Sequence, residues 1–309
     1  MNITFKSQDG NESISGSDVP LTFPQQTDPT KEVFYELNSM IGLEKVKGLI
    51  YEIYAFLQIA QMRQDAGLKV GTQSFHMLFS GNPGTGKTTV ARIIAKLFQK
   101  MGVLSKGHLI EVERADLVGE YIGHTAQKTR DLVKKALGGI LFIDEAYSLA
   151  RGGEKDFGKE AIDCLVKVME DKHQDLIVIL AGYPNEMDMF METNTGLPSR
   201  FPIKIDFPDY TIEELVQIAN KMTKERDYNL TVETSRKLRD IILDEKISEI
   251  NFSNARFVRN VIEKSIRHQA VRLMSKNTKL SKSELMDILP KDIITQLETN
   301  NAKPESAIS

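Results

Sequence analysis

Apolar residues recur along this chain in two patterns, and each pattern predicts a different element. Spacings of three and four residues predict amphipathic helices, and short uninterrupted apolar runs that end in glycine or acidic residues predict buried strands. Helices are therefore expected at 43–65, 88–101, 125–137, 156–171, 211–226, 231–245 and 253–275. Strands are expected at 75–80, 108–113, 140–144, 176–182 and 203–207.

The order of these elements predicts the fold class. Strands and helices alternate up to residue 207, and after Pro208 only helices are expected. Such alternation is typical of an α/β fold, with a parallel, doubly wound sheet flanked by helices. We expect four segments: a variable lead-in with at most one short strand, an α/β core, a small all-helical lid domain and a polar tail. Their bounds are 1–35, 36–208, 209–292 and 293–309.

A glycine-rich segment follows the first predicted strand. Its sequence GNPGTGKT fits G-x-x-x-x-G-K-[ST], the phosphate-binding P-loop. Backbone N–H groups of such a loop, next to a helix N-terminus, attract phosphate oxygens. Lys87 would supply a positive charge to the β- and γ-phosphates, and the Thr88 hydroxyl would be a ligand of Mg²⁺. The predicted nucleotide-binding residues are Gly81, Asn82, Pro83, Gly84, Thr85, Gly86, Lys87, Thr88 and Thr89.

An acidic pair ends another predicted strand, in the sequence ILFIDEA at 140–146. Asp144, at the carboxyl end of a buried strand, is expected to hold Mg²⁺ directly or through water. Glu145 is expected to polarise the attacking water as a general base. Together with the P-loop, this pair predicts an ATPase that uses ATP and Mg²⁺.

The P-loop, IDEA, SRF and NAR occur here in an order that resembles the AAA+ family, over about residues 36–292. The resemblance implies that Ile41 and Gly42 contact the adenine. It implies that Arg200 is an arginine finger for the nucleotide of a neighbouring subunit, and that Arg256 reaches its own nucleotide from the lid.

The same family has a first sensor residue after the fourth core strand, where this chain reads AGYPNEM. Tyr183 stands at the usual position, whereas Asn185 has the usual chemistry. Both residues remain candidates on the sequence.

The sequence from 114 to 153 also resembles one branch of AAA+, which contains red-type Rubisco activase and a bacterial sporulation protein. Residues around 102–164 most resemble the sporulation protein. That branch forms hexameric rings, and Tyr121, Ile122 and Gly123 match its pore loop, which grips a protein chain threaded through the ring. The alternative is that Tyr121 packs against the edge of the sheet.

Composition narrows the choice of function. The net charge is −3 and the pI is near 6.0, and no basic stripe with interleaved aromatic residues is present. This argues against a nucleic-acid partner, and so against a clamp loader or helicase loader. The acidic pair argues against a scaffold that binds ATP without turnover. We therefore expect a homohexameric remodeller of an unknown protein client, in spore formation or as a Rubisco-activase-like variant.

The chain is expected to act in the cytoplasm. It has a single cysteine, no apolar run suited to a signal peptide and no stretch long enough for a membrane span.

Overall fold

The structure is a computed structural model of the 309-residue chain, and it describes residues 29–294 except 72, 122, 153–156, 172–174 and 277–278. Any short strand in the lead-in before residue 29, the polar tail from residue 295 onward and the pore-loop residue Ile122 lie outside the described residues.

Five parallel strands form the central sheet, in the order β2–β3–β4–β1–β5. The α/β fold class predicted from the sequence is confirmed, and every predicted strand is present. The strands are β1 (Met77–Gly81), β2 (Leu109–Val112), β3 (Gly139–Ile143), β4 (Leu176–Gly182) and β5 (Ile203–Phe207).

All seven predicted helices are present, and the described residues contain five shorter α-helices that were not predicted. The unpredicted helices are four to nine residues long, which is too short for a helical period to stand out. None of the described helices has both the length and the apolar character needed to cross a bilayer. The helices are α1 (Lys31–Asn38), α2 (Glu44–Asp65), α3 (Lys87–Lys100), α4 (Arg114–Leu117), α5 (His124–Ala136), α6 (Gly158–Asp171), α7 (Pro184–Glu192), α8 (Leu197–Arg200), α9 (Ile212–Lys224), α10 (Val232–Ser248), α11 (Asn254–Met274) and α12 (Lys282–Met286).

The sheet is buried on both faces. Successive side chains of a strand point to opposite faces, so Phe79 and Phe142 belong to one apolar cluster while Leu78 and Leu141 belong to the other. This explains why the central strands read as continuous apolar runs. The first cluster continues through α3 into the lid helices, so the core and the lid share packed side chains.

The lid is helical, as predicted, with one addition. A parallel pair of two-residue strands joins the loop between α9 and α10 to the segment after α12: β6 (Asn229–Leu230) and β7 (Asp287–Ile288). The expectation of no strand after Pro208 is wrong for these four residues, because two residues are too few for alternation to show. The Thr234 hydroxyl donates to the carbonyl of Ile288 at 2.8 Å and fixes this pair to α10.

Helix α1 crosses the boundary expected at residue 35. Val33 and Phe34 are buried in the same apolar cluster as α3, and Phe34 packs edge-on against Tyr54 of α2 with 4.9 Å between ring centroids. We therefore propose that the ATPase core begins at Lys31.

Candidate functional site

The candidate site is a cavity of about 590 Å³ between the carboxyl edge of the sheet and the lid. Parallel strands end at one edge, so the segments after β1, β3 and β4 converge there, at the point where the strand order reverses around β1. Helices α9 and α11 of the lid form the opposite wall.

The P-loop runs from β1 into α3 and depends on two left-handed glycines. Gly84 has a φ of 72° and Gly86 a φ of 100°. A Cβ atom at residue 84 would also lie 2.3 Å from the carbonyl oxygen of Ser253, at the start of α11. Glycine at 84 is therefore required both by the backbone conformation and by the close approach of the lid.

Lys87 lies over the loop that precedes it. Its Nζ donates to the carbonyl oxygens of Gly81 at 2.7 Å and Asn82 at 2.9 Å. Burial lowers the pKa of Lys87, and the negative charge of Asp144 opposes this shift. The ammonium is therefore held where phosphate oxygens would compete with these carbonyl oxygens as hydrogen-bond acceptors.

Thr88 and Asp144 both line the cavity. The Thr88 hydroxyl faces Glu111 Oε1 at 3.4 Å, and Asp144 Oδ1 accepts from the backbone N–H of Glu145 at 3.0 Å. Within the described ranges, no group of three or more His, Cys, Asp or Glu side chains forms a metal site by itself. One hydroxyl and one carboxylate fit Mg²⁺, which takes its remaining ligands from phosphates and water in nucleotide sites.

Glu145 lines the cavity in an unusual backbone conformation. Its φ of 46° is left-handed, and it caps the 3-10 helix Ala146–Ala150, with only Asp144 between it and β3. Such strain in a non-glycine residue clusters at functional sites. The side chain is exposed, so water can reach its carboxylate.

The structure separates the two candidates for the first sensor. Tyr183 lines the cavity, whereas Asn185 is exposed in the first turn of α7 and is absent from the cavity wall. Burial raises the pKa of the Tyr183 phenol, and the negative charge of Glu145 raises it further. Of the two, Tyr183 is the residue that faces the acidic pair.

The lid side of the cavity carries both charge and apolar surface. Arg256 and Arg259 of α11 line the cavity, and so does Ile41. Gly42 has a φ of 62° and lies beside α9, where a Cβ would be 2.3 Å from Glu214 Oε1. Apolar or aromatic residues that line the same cavity and were not predicted from the sequence are Met40, Tyr210, Ile218 and Met222.

Three further residues at the site were not predicted from the sequence. Asp209 and Tyr210 follow Pro208 after β5, and Asn254 lies within the NAR motif, of which only the arginine was assigned. Asn254 binds both Asp209 and the backbone of Tyr210, and the Tyr210 hydroxyl donates to the P-loop carbonyl of Thr85 at 3.1 Å. Burial raises the pKa of Tyr210 to about 12, so the phenol remains a donor.

Arg200 lies away from this cavity, near the opposite edge of the sheet. Its carbonyl accepts from the hydroxyl of Ser74, which precedes β1, whereas the P-loop follows β1. The length of a five-residue strand, roughly 15 Å, separates the two positions. Its guanidinium donates to the carbonyl of Gly196 at 2.9 Å and forms an ion pair with Glu170.

The described part of the pore-loop segment is at the surface. The Tyr121 side chain is 65% exposed. Among the aromatic rings of the described residues, it contacts only that of His124, edge-on with 5.4 Å between ring centroids. The alternative that Tyr121 packs against the edge of the sheet is therefore wrong. Gly123 has a φ of 82° and begins α5.

Comparison with protein families identifies both domains of the chain. Residues 77–209 match the model of the ATPase family associated with various cellular activities (AAA), and residues 211–303 match the model of the AAA lid domain.

Known proteins with similar sequences cover most of the chain. Stage V sporulation protein K of Bacillus subtilis (strain 168) is 62% identical, over 88% of this chain and 85% of that protein. The chloroplastic ribulose bisphosphate carboxylase/oxygenase activase of Cyanidioschyzon merolae is 45% identical, over 85% of this chain and 91% of its own. Among solved structures, the FIGL-1 AAA domain in complex with ADP matches with a TM-score of 0.57, 18% identity and coverage of 87% of this chain and 85% of that one.

Proposed function

This chain belongs to the AAA family of ATPases, and we propose that it uses ATP hydrolysis in a homohexameric ring to remodel a protein client during bacterial spore formation. The role in sporulation is supported by the 62% identity with stage V sporulation protein K. We place its action in the cytoplasm.

The chemistry that we propose uses residues that line one cavity. Lys87 and the P-loop amides hold the phosphates of ATP, and Thr88 and Asp144 are the residues that would hold Mg²⁺. Mg²⁺, when bound, would neutralise charge on the β- and γ-phosphates. Glu145 accepts a proton from the attacking water, since its carboxylate is exposed at the end of β3.

The lid and the first sensor complete the pocket. Arg256 directs its positive charge to the γ-phosphate of its own nucleotide, and Tyr183 orients groups near the acidic pair. The apolar surface around Ile41 and Met40 suits the adenine, because aromatic bases bind between apolar side chains.

The ring is supported above all by the position of Arg200. A guanidinium near the amino edge of the sheet is too far from the P-loop of its own subunit to reach that nucleotide. It can act as an arginine finger only on the nucleotide of an adjacent copy. A heterologous contact of this kind gives a ring when the rotation between neighbouring copies closes after a whole number of subunits.

Mixing two inactive variants tests this arrangement. Arg200→Ala should keep its P-loop and lose turnover on the order of 10³-fold, because arginine fingers contribute this much in related phosphoryl transfer. Lys87→Ala should lose nucleotide binding but keep Arg200. The mixture should regain ATPase activity, because Arg200 of one copy completes the pocket of the other, as a steady-state phosphate-release assay would measure.

Lys204→Ala provides the matched control for removal of a positive charge, since Lys204 is exposed on β5 near Arg200. It should turn over ATP like the unmodified chain. If mixed assemblies form and no mixing ratio restores activity, Arg200 does not act on a neighbouring subunit.

A second client class is favoured by the relative named as an activase of ribulose bisphosphate carboxylase/oxygenase, at 45% identity. Both proposals share the pocket, the ring and Tyr121 as the grip on the client. They differ only in the identity of the client. A ring of the Glu145→Gln variant, in which ATP is expected to stay bound, should retain that client.

A further inference from the structure

Three parts of the molecule meet at Asn254: the P-loop, the segment from β5 into the lid, and the helix that carries Arg256. Asn254 begins α11, is fully buried and has a φ of 46°. A left-handed backbone is costly for any residue except glycine, and asparagine tolerates it better than most. Contacts of the side chain must therefore hold the residue in place.

The polar atoms of the Asn254 side chain are all engaged. Nδ2 donates to Asp209 Oδ1 at 2.7 Å and to the carbonyl oxygen of Phe252 at 2.9 Å. Oδ1 accepts from the backbone N–H of Tyr210 at 3.0 Å. Because Asp209 and Tyr210 connect β5 to α9, these bonds attach the start of α11 to the hinge between the core and the lid.

Asp209 extends the same network into the P-loop. Its two carboxylate oxygens accept from Asn82 Nδ2 at 3.0 and 3.1 Å. The backbone carbonyl of Asn82 in turn accepts from the Lys87 ammonium. Burial lowers the pKa of Lys87, and the negative charges of Asp144 and Asp209 oppose this shift. The hinge carboxylate is thus linked to the phosphate-binding lysine through one residue.

A second contact holds α11 directly on the loop. The backbone N–H of Ala255 donates to the carbonyl of Gly84 at 3.3 Å. Arg256 follows in the same helical turn, and its side chain lines the cavity. The direction of Arg256 is therefore determined by how the first turn of α11 is seated on the P-loop.

We propose that Asn254 and Asp209 are positioning residues of this ATPase, whose hydrogen bonds seat α11 on the P-loop and so aim Arg256 at the γ-phosphate. The inference rests on the proposed role of Arg256. An amide is needed at position 254 because it donates to a carboxylate and also accepts from an N–H. An aspartate would keep the shape but place two carboxylates together with no donor between them.

The primary test is Asn254→Asp in the full chain, measured by steady-state ATPase kinetics and by calorimetric titration with ADP. We expect kcat to fall about tenfold or more, the effect of one lost hydrogen bond to a charged group. ADP affinity should change less than about threefold, because ADP has no γ-phosphate for Arg256 to contact. Asn260→Asp is the matched control, since Asn260 is exposed on the same helix and gains the same charge. Its kinetics should be unchanged.

A double-mutant cycle with Arg256→Ala separates positioning from a structural role. If Asn254 acts through Arg256, adding Asn254→Asp to Arg256→Ala should lower kcat no further. The proposal would be overturned if Asn254→Asp lowered kcat by the same factor with and without Arg256→Ala. It would also be overturned if ADP affinity fell in parallel with kcat, because the hydrogen bonds of Asn254 would then shape the P-loop itself. Turnover by Arg256→Ala equal to that of the unmodified chain would contradict the proposed role of Arg256 instead.

Asp209→Asn is the second variant, and it tests the proposal even if Asn254→Asp does not fold. It keeps the side-chain shape and leaves two amide donors, Asn82 and Asn254, to share one carbonyl oxygen. It should show the same pattern: lower kcat, retained ADP binding and no further loss when combined with Arg256→Ala. Turnover equal to that of the unmodified chain would overturn the proposal.

Discussion

Glu145 combines two features at the scale of a single residue: an exposed carboxylate and a left-handed backbone two residues past the end of a fully buried strand. The strand β3 is anchored on both sides by β2 and β4, and this support holds the strained residue in place. The backbone of Glu145 is thereby fixed next to Asp144 at the carboxyl end of β3.

Glu145→Gln keeps the size of the side chain and removes its basicity. We expect ATP hydrolysis to fall by a factor of about 10²–10⁴, the usual contribution of a general base, while ATP binding is retained. Single-turnover kinetics and a nucleotide-retention assay would measure the two effects separately. Glu192→Gln, at the exposed end of α7, is the matched control and should hydrolyse ATP normally. Normal hydrolysis by Glu145→Gln would exclude Glu145 as the base.

At the scale of elements, the end of the lid is attached to α11 by a buried ion pair. Arg272 donates to both carboxylate oxygens of Asp292, at 2.7 and 2.9 Å, and the backbone N–H of Leu289 donates to the same carboxylate at 2.9 Å. The Asp292 side chain is 2% exposed. This geometry attaches β7 and the following turn to the long helix that carries Arg256.

Asp292→Asn should destabilise the lid, because it leaves the Arg272 charge nearly buried without its counter-ion. We expect a loss of about 3 kcal/mol in the free energy of unfolding, measured by urea denaturation. The exposed pair Arg226–Glu263, also in the lid, is 3.8 Å apart, and Arg226→Ala should cost less than about 1 kcal/mol. Similar losses in the two variants would show that burial of the Arg272–Asp292 pair is not what matters.

At the scale of the whole molecule, the parts of the proposed active site are divided between two edges of the sheet. The cavity with Lys87, Asp144 and Glu145 opens at the carboxyl edge, and Arg200 lies near the amino edge. In the proposed ring, assembly would bring this arginine to the nucleotide of a neighbouring copy. In the single chain the Arg200 guanidinium is paired with Glu170, and in the proposed ring it would exchange this partner for a phosphate.

ATP should therefore promote assembly. In Glu145→Gln, which is expected to hold ATP without turnover, light scattering should show a shift from smaller species to hexamer when ATP is added. ADP should shift the equilibrium less, because it offers no γ-phosphate to Arg200. Adding Arg200→Ala should weaken the ATP-dependent shift, whereas Lys204→Ala should preserve it. Monomer alone at all protein concentrations with ATP would exclude the ring.

Local patterns determined most of the fold of this protein. Apolar runs and helical periods predicted all five strands of the sheet and the seven longer helices, since burial on both faces of a sheet or on one face of a helix leaves a direct trace in the order of residues. The P-loop and the acidic pair were equally visible, because phosphate binding and water activation require particular residue types at fixed spacing. Helices shorter than ten residues and the β6–β7 pair left too little pattern to predict.

Only the tertiary structure decided which distant residues share a site. Tyr183 and Asn185 differ by two positions in sequence, yet one lines the cavity and the other is exposed, because α7 begins between them. The contacts among Asn82, Asp209 and Asn254 join residues up to 127 positions apart through side-chain hydrogen bonds that have no periodic signature. The distance of Arg200 from its own P-loop follows from the direction of β1 and β5, a property of the assembled sheet rather than of any segment of the chain.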